Sequence, residues 1–274
     1  MTMQNPESKI CLTIAGLDPS GGAGVIADIK TFSAFGCFAA AAVSSITFQN
    51  TTGVFGAVHQ TAETIRGQVK PVIRDYSIAA VKTGMLPTHE VIEETARLIK
   101  ENGLKNIVID PVVRSTSGFN LIDEAALRSL IELLFPLSDV ITPNIPEAER
   151  ISGIKIKTAE DIEKAARTMQ SMGAGNVLIK GGHLPISNSD KDTASSVRTA
   201  RDYLFIGNEL HVLEDDFIET TATHGTGCTL SSAIAANLAL GRSLDEAVRL
   251  SKDFVTRAIR TALNLGHGNS PINI

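Results

Sequence analysis

The chain has 274 residues, an apolar fraction of 43% and a formal net charge of −5. This length fits one large domain with a sizeable core, and we predict a single domain over residues 1–274. The negative charge argues against nucleic acid or an anionic membrane as the main partner. No apolar run approaches the ~20 residues of a membrane-spanning helix, and the N-terminus lacks the apolar core of a signal peptide. We therefore expect a cytoplasmic protein.

Six short apolar runs predict buried strands, at residues 10–16, 39–49, 78–84, 106–112, 139–144 and 176–182. Continuous apolar runs are typical of strands covered on both faces, as in parallel sheets. Residues 48–58 break this pattern and indicate a hairpin with a glycine turn. Polar residues within 185–201 predict a flexible surface loop, which is followed by a second hairpin turning at Gly207-Asn208.

Helical patterns lie between these strands, and three of them carry clear start signals. Thr88 is a predicted N-cap with Gly103 as the stop, and Thr158 with Asp161 forms an aspartate version of the capping box. Ser243 with Glu246 matches the usual capping box at the start of the last long helix. Strands that alternate with helices in this way predict an open, mainly parallel sheet with helices on both faces. Ligands bind such sheets at the carboxyl ends of the strands.

The three cysteines, Cys11, Cys37 and Cys228, are odd in number and form no CxxC pair. A disulfide framework and a structural zinc site are therefore not expected.

The stretch GLDPSGGAG, here called the first glycine turn (residues 16–24), follows the first predicted strand. It matches neither the GxGxxG fingerprint nor the P-loop pattern, so a nicotinamide oxidoreductase is not supported. The turn either connects a strand tightly to a helix or lets a ligand approach the backbone closely. Asp28 lies on the helix just beyond it and is a solvated or capping residue unless other evidence gives it a ligand.

The stretch HGTGC, here called the second glycine turn (residues 224–228), precedes a run of small helical residues. Backbone amides of Gly225, Thr226, Gly227 and Cys228 at a helix N-terminus predict an anion site. The same position predicts a lowered pKa for the Cys228 thiol. The residue is then either a proton acceptor or a small pocket wall, and free cysteines are often simply buried.

Three further motifs place polar residues at predicted strand ends: Asp110 in DPVV, Asn144 and Glu147 in TPNIPEAE, and Lys180 in LIKGG. Asp110 and Glu147 are candidate Mg²⁺ ligands, because Mg²⁺ prefers one or two carboxylates together with substrate phosphates. Glu147 is alternatively a first-turn acid that complements the helix dipole. Lys180 is a candidate phosphate ligand or a surface lysine.

Eight stretches together resemble one known family, and they occur in family order from Leu12 to about Ala236: LTIAGLDPSGGAG, ADIKTF, SITFQNTTGV, AVKTGML, DPVV with TSG, TPNIPEAE, VLIKGGH and HGTGCTLSSAIA. The sequence resembles the hydroxymethylpyrimidine and phosphomethylpyrimidine kinases of thiamine synthesis, within the ribokinase-like superfamily. The resemblance implies a three-layer α/β/α fold, ATP and Mg²⁺ as cofactors, phosphorylation of a CH₂OH group, and a homodimer.

The resemblance also implies roles for individual residues. The pyrimidine pocket maps onto Gly16, Ala23, Asp28, Gln49, Met85 and Val112. Asn144 and Lys180 map onto the ATP site, and the second glycine turn would bind the transferring phosphoryl group. Cys228 stands where many superfamily members carry the aspartate that acts as general base, with Asp28 or water as the alternative acceptor.

Two other functions remain open at this point. Pyridoxal or pyridoxine kinase is the close alternative, because both kinds of substrate are flat nitrogen heterocycles with a CH₂OH group. A non-catalytic pyrimidine-binding protein is disfavoured, since binding alone does not require phosphate chemistry.

Overall fold

The computed structural model describes residues 8–113, 121–181 and 199–274. Residues 185–198 of the predicted surface loop and the TSG motif at 116–118 lie outside the described residues, whereas residues 199–201 of that loop belong to a strand. In the described part of the chain the strands form one sheet: β1 (Ile10–Leu17), β2 (Phe38–Asn50), β3 (Gly53–His59), β4 (Ile78–Thr83), β5 (Ile107–Ile109), β6 (Val140–Ile141), β7 (Asn176–Lys180), β8 (Thr199–Ile206) and β9 (Glu209–Asp216). Their order is β3-β2-β1-β4-β5-β6-β7-β8-β9.

The centre of the sheet, from β2 to β7, is parallel, and both margins are antiparallel. The α-helices of the described residues are α1 (Gly24–Ala34), α2 (Ala62–Asp75), α3 (His89–Glu101), α4 (Glu124–Ser129), α5 (Ile145–Ser152), α6 (Ala159–Ser171), α7 (Thr226–Ala239) and α8 (Leu244–Arg260). A π-helical turn (Leu130–Leu134) and a 3₁₀ turn (Phe135–Leu137) continue α4.

Each sheet face carries its own apolar core. Alternate residues of β1 face opposite sides, so that Leu12 and Ile14 pack with α2 to α6 while Cys11 packs with α1, α7 and α8. The central strands β1 and β4 to β7 are thus buried on both faces, as their continuous apolar runs predicted. The prediction of a three-layer α/β/α fold with a mainly parallel sheet is confirmed, whereas the single domain over 1–274 stays a prediction.

The predicted helix starts and hairpins are confirmed. Thr88 caps α3, and Thr158 with Asp161 forms the capping box of α6. Ser243 caps α8 by accepting from the Glu246 N–H, but among the residues described the return bond from the Glu246 side chain is missing, so the full capping box predicted there is wrong. The β2–β3 hairpin pairs Asn50 with Gly53, and the β8–β9 hairpin turns at 207–208 as expected. Local side-chain chemistry decides these features, which is why the sequence reveals them.

Two predicted strands are shorter than expected. The strand predicted over 106–112 is only Ile107–Ile109, and that predicted over 139–144 is only Val140–Ile141. Pro111 and Pro143 lack the N–H that would continue each ladder. Both strands therefore end early and leave Asp110 and Asn144 on irregular backbone at the carboxyl edge of the sheet.

Candidate active site

One cavity of about 490 Å³ opens at the carboxyl ends of the parallel strands. Its walls include every residue that the sequence predicted for the site except Asp28: Gly16, Ala23, Gln49, Met85, Asp110, Val112, Asn144, Glu147, Lys180, Gly225, Thr226, Gly227 and Cys228. Residues separated by more than 200 positions in the chain thus share one pocket.

The second glycine turn forms the N-terminus of α7. Gly225 is the N-cap in the left-handed region, with φ of 85°. The Thr226 N–H donates to the Thr223 carbonyl at 3.4 Å, whereas among the described residues the N–H groups of Gly227 and Cys228 have no protein acceptor. Two amides at the positive end of a helix are therefore available to an anion.

Lys180 at the end of β7 and Asp110 just after β5 face this turn, with the short strand β6 between them. Lys180 Nζ lies 3.0 Å from Asp110 Oδ1, and a Cβ added at Gly227 would lie 3.1 Å from the same Nζ. Burial disfavours the charged lysine, but the carboxylates of Asp110 and Glu147 outweigh that cost and raise the pKa of Lys180. A permanent cation thus lies beside the free amides.

Asn144 and Glu147 begin α5 with a complete capping box. Asn144 Oδ1 accepts from the Glu147 N–H and Glu147 Oε2 accepts from the Asn144 N–H, both at 2.9 Å. Glu147 Oε1 also accepts from the Val113 N–H at 3.2 Å. Burial raises the pKa of Glu147 to about 7, with Asp110 adding to the rise and Lys180 opposing it. The capping role that the sequence offered for Glu147 is therefore present, beside an electrostatic role near Asp110.

Asp28 lies behind the cavity wall rather than on it. Its side chain is fully buried, and its two oxygens lie 2.9 Å from Lys82 Nζ. The hydroxyls of Thr13 and Ser232 donate to it at 2.6 Å each. These bonds use the acceptor capacity of the carboxylate and Asp28 does not line the cavity, so its contact with the substrate and its role as the base stay predictions that this geometry does not favour.

Cys228 is half-buried on the cavity wall. Burial raises the pKa of its thiol to about 11, Lys82 opposes this rise, and the carboxylates of Asp28 and Asp110 add to it. The lowered pKa predicted from the helix N-terminus is therefore wrong. Removal of the thiol from water and the two nearby carboxylates together outweigh the effect of the helix dipole on this pKa.

The other end of the cavity, here called the heterocycle wall, holds the residues expected to receive a heterocycle: Gly16, Gln49, Met85 and Val112. A Cβ added at Gly16 would lie 3.2 Å from the sulfur of Met85, so the thioether rests directly on the first glycine turn. Gln49 pairs with Val54 one residue before the end of β2, and Val112 adopts φ of 42°. A β-branched residue in this region is strained, and such strain clusters at ligand sites.

Sequence reasoning missed three features of the cavity. Lys82, inside the predicted strand 78–84, was given no role, although a lysine inside an apolar run is a usable signal of a buried ion pair. Lys252 pairs with Asp202 at 2.6 Å on a part of the wall that no motif indicated. Asp18 and His224, one from each glycine turn, lie 2.7 Å apart.

The parallel sheet, the paired free amides and the adjacent lysine define an α/β enzyme that handles phosphate groups. Residues 18–273 match the family model described as phosphomethylpyrimidine kinase. Hydroxymethylpyrimidine/phosphomethylpyrimidine kinase of Bacillus subtilis (strain 168) is 42% identical over 96% of this chain and 93% of the relative. The chain belongs to the phosphomethylpyrimidine kinase family, and it is a kinase.

Solved structures agree with this assignment. Phosphomethylpyrimidine kinase from Clostridium difficile 630 superposes with a TM-score of 0.78 at 41% identity, covering 92% of this chain and all of that one. An ADP complex of Bacillus subtilis pyridoxal kinase superposes with a TM-score of 0.84 at 37% identity over 97% of both chains. The ribokinase-like fold class expected from the motifs is thus confirmed. Among the described residues, no helix is both long enough and apolar enough to cross a membrane.

Proposed function

We propose that the chain transfers the γ-phosphoryl group of ATP to the CH₂OH group of hydroxymethylpyrimidine, and then phosphorylates the resulting monophosphate, in thiamine biosynthesis. One observation carries this proposal: the free amides of Gly227 and Cys228 and the ammonium of Lys180 share a cavity with the heterocycle wall at Gln49 and Met85. Donor phosphate and acceptor alcohol can therefore meet in one place.

The phosphate end acts by fixed charge. Phosphoryl transfer passes through a loose transition state whose charge is spread over the equatorial oxygens, so positioning and electrostatic stabilisation dominate. The amides of the second glycine turn donate to these oxygens, and Lys180 neutralises charge that develops on them. Asn144 would complete the cavity wall on the side that binds ATP.

Mg²⁺ fits the same end as a companion of ATP. In residues 8–113, 121–181 and 199–274 no group of three or more His, Cys, Asp or Glu side chains could hold a metal by itself. Two carboxyl groups, Asp110 and Glu147, with one ammonium, Lys180, nevertheless leave an acidic pocket beside the phosphate site. Mg²⁺ typically takes one or two carboxylates plus phosphate oxygens, and when bound it would neutralise phosphate charge. Asp110 would bind the Mg²⁺ ion, and Glu147 would add negative charge behind Asp110.

Cys228 serves this reaction as a wall beside the acceptor hydroxyl. A thiol with a pKa of about 11 is protonated at neutral pH, so it is not a thiolate base in the resting enzyme. A loose transition state needs little help from a base, because the hydroxyl proton leaves late. Gly16, Ala23 and Val112 would enclose the remaining faces of the ring.

Pyridoxal kinase activity is the second candidate, and the likeness to the Bacillus subtilis pyridoxal kinase structure favours it. Initial rates of ATP consumption with hydroxymethylpyrimidine, its monophosphate and pyridoxal separate the two. We expect kcat/KM for each pyrimidine to exceed that for pyridoxal at least about tenfold, or about 1.4 kcal/mol. Faster turnover of pyridoxal than of either pyrimidine would instead assign pyridoxal kinase activity to this chain.

A non-catalytic pyrimidine-binding protein is the least favoured function. Gly227→Ala places a methyl group against Lys180 Nζ, at 3.1 Å, without touching the heterocycle wall. If the chain is a kinase, this variant loses turnover and keeps its affinity for hydroxymethylpyrimidine. A binding protein would show no ATP turnover before or after the change.

We further propose a cytoplasmic homodimer that meets through the β2–β3 hairpin. Strand β3 ends the sheet, and Phe48, Phe55 and Val58 on this hairpin are 52%, 69% and 51% exposed. An open edge strand with large exposed apolar side chains is a ready pairing surface. Phe55→Asp should shift the mass measured by light scattering from two chains to one. A wild-type protein that runs as a monomer at a concentration of about 10⁻⁴ M rules the dimer out.

A further inference from the structure

Asp18 and His224 join the two glycine turns across the cavity. Asp18 Oδ2 lies 2.7 Å from His224 Nε2, and the two side chains are 3% and 12% exposed. The His224 ring donates this bond, which also lowers the pKa of Asp18 although burial opposes the shift. Charge-assisted bonds of this length are among the stronger contacts in proteins.

Asp18 uses its remaining acceptor sites to hold the first glycine turn. Oδ1 accepts from the N–H of Ser20 at 2.8 Å and from its hydroxyl at 2.7 Å. Oδ2 accepts from the Ala23 N–H at 2.9 Å, in addition to His224. The carboxylate therefore organises the turn and offers one contact to the outside, which is the imidazole.

His224 is fixed from the other side by the C-terminal segment. Its N–H donates to the Ser270 carbonyl at 3.2 Å, and its carbonyl accepts from the Ile272 N–H at 3.4 Å. A Cβ added at Gly22 would lie 3.1 Å from Nε2, so the ring rests on the first glycine turn. Backbone and side chain of His224 are both immobilised, and Gly225, the N-cap of α7, follows directly.

We propose that Asp18 and His224 are positioning residues for phosphoryl transfer, which rests on the proposed function. Their bond sets the separation of the two glycine turns, and thereby where the amides of Gly227 and Cys228 point. Displacing a positioned group by about 1 Å can cost on the order of 100-fold in rate. The pair is proposed to act through the turn that follows His224, rather than by contact with the reacting atoms.

The test uses His224→Ala, His224→Gln and a control, His211→Ala. Gln can place a donor near the position of Nε2, whereas Ala cannot. His211 is a matched control because its Nδ1 lies 3.2 Å from Asp245 Oδ1 and it does not line the cavity. For each variant we would measure kcat, KM for hydroxymethylpyrimidine, thermal unfolding, and the Kd for inorganic phosphate.

We expect His224→Ala to lower kcat about 10- to 100-fold with KM for the pyrimidine within about threefold. Its Kd for inorganic phosphate should rise at least about fivefold, while His224→Gln recovers most of both losses and His211→Ala matches wild type. Wild-type values of kcat and phosphate Kd in His224→Ala would overturn the proposal. The proposal would also be overturned if His224→Gln restored the stability lost in His224→Ala but did not restore kcat.

The phosphate measurement separates this proposal from the proposed function. If the wild type consumes no ATP with either pyrimidine, the proposed function fails, but phosphate affinity still reports on the second glycine turn. An unchanged phosphate Kd in His224→Ala then overturns the positioning role by itself.

Discussion

Replacing Gly225 by alanine tests whether the two glycine turns must pack backbone against backbone. The residue has φ of 85°, and an added Cβ would lie 3.0 Å from the carbonyl carbon of Gly22 and closer still to its oxygen. Non-bonded carbons prefer about 3.5–4.0 Å, so the turns must separate by about 0.5–1 Å or more. The left-handed conformation adds about 1–2 kcal/mol of strain.

Gly241→Ala provides the matched control. Gly241 has φ of 83°, but a Cβ added there meets nothing within 4 Å. Both variants therefore carry the same conformational strain, and only Gly225→Ala displaces the second glycine turn. The difference between them isolates the effect of the clash.

In an assay that couples ADP release to NADH oxidation, we expect Gly225→Ala to lose about 100-fold or more in kcat. Gly241→Ala should keep wild-type kcat and lose only about 1–2 kcal/mol of unfolding free energy. The reasoning is refuted if Gly225→Ala folds and stays within threefold of Gly241→Ala in kcat, because close packing of the turns would then not matter for catalysis.

Three further outcomes follow from the buried charges. Asp28→Asn leaves Lys82 as an unpaired buried cation and should lower the free energy of unfolding in urea by about 3–5 kcal/mol; a loss below 1 kcal/mol contradicts the pairing. The Cys228 thiol should react with iodoacetamide roughly 300-fold more slowly at pH 7.5 than a free cysteine of pKa about 8.5, because less of it is ionised. The rate of this alkylation should still be rising at pH 9.5. A rate that levels off below pH 8.5 in the wild type, but not in Cys228→Ser, would exclude a raised pKa. Lys180→Met should lower kcat about 100- to 1,000-fold and leave pyrimidine affinity unchanged; equal losses in both argue for general disruption around Asp110.

The sequence predicted those parts of the site that depend on local backbone chemistry. The second glycine turn places its free amides at a helix N-terminus because Gly225 permits the left-handed N-cap, and both facts are visible in five consecutive residues. The Asn144–Glu147 box is equally local. Strand order placed these motifs on one edge, so a shared cavity was also predictable.

The features of the site that the sequence did not reveal depend on contacts between residues that are distant in the chain. Asp28 and Lys82 are separated by 54 positions, and only the tertiary packing that places α1 on β1, the strand next to β4, shows that they neutralise each other. The pKa of Cys228 is decided by burial and by the carboxylates of Asp28 and Asp110, whereas the sequence shows only the helix that carries it. His224 lay inside a quoted motif, but its partner Asp18 is 206 positions away.

The most direct test of the account is a mass-spectrometric time course of wild-type enzyme with ATP, Mg²⁺ and hydroxymethylpyrimidine. The account predicts that the monophosphate appears first, that the diphosphate follows at its expense, and that ADP forms in step with both. Absence of any phosphorylated pyrimidine, in a preparation that is folded and binds ATP, would contradict the claim that this cavity phosphorylates a pyrimidine alcohol.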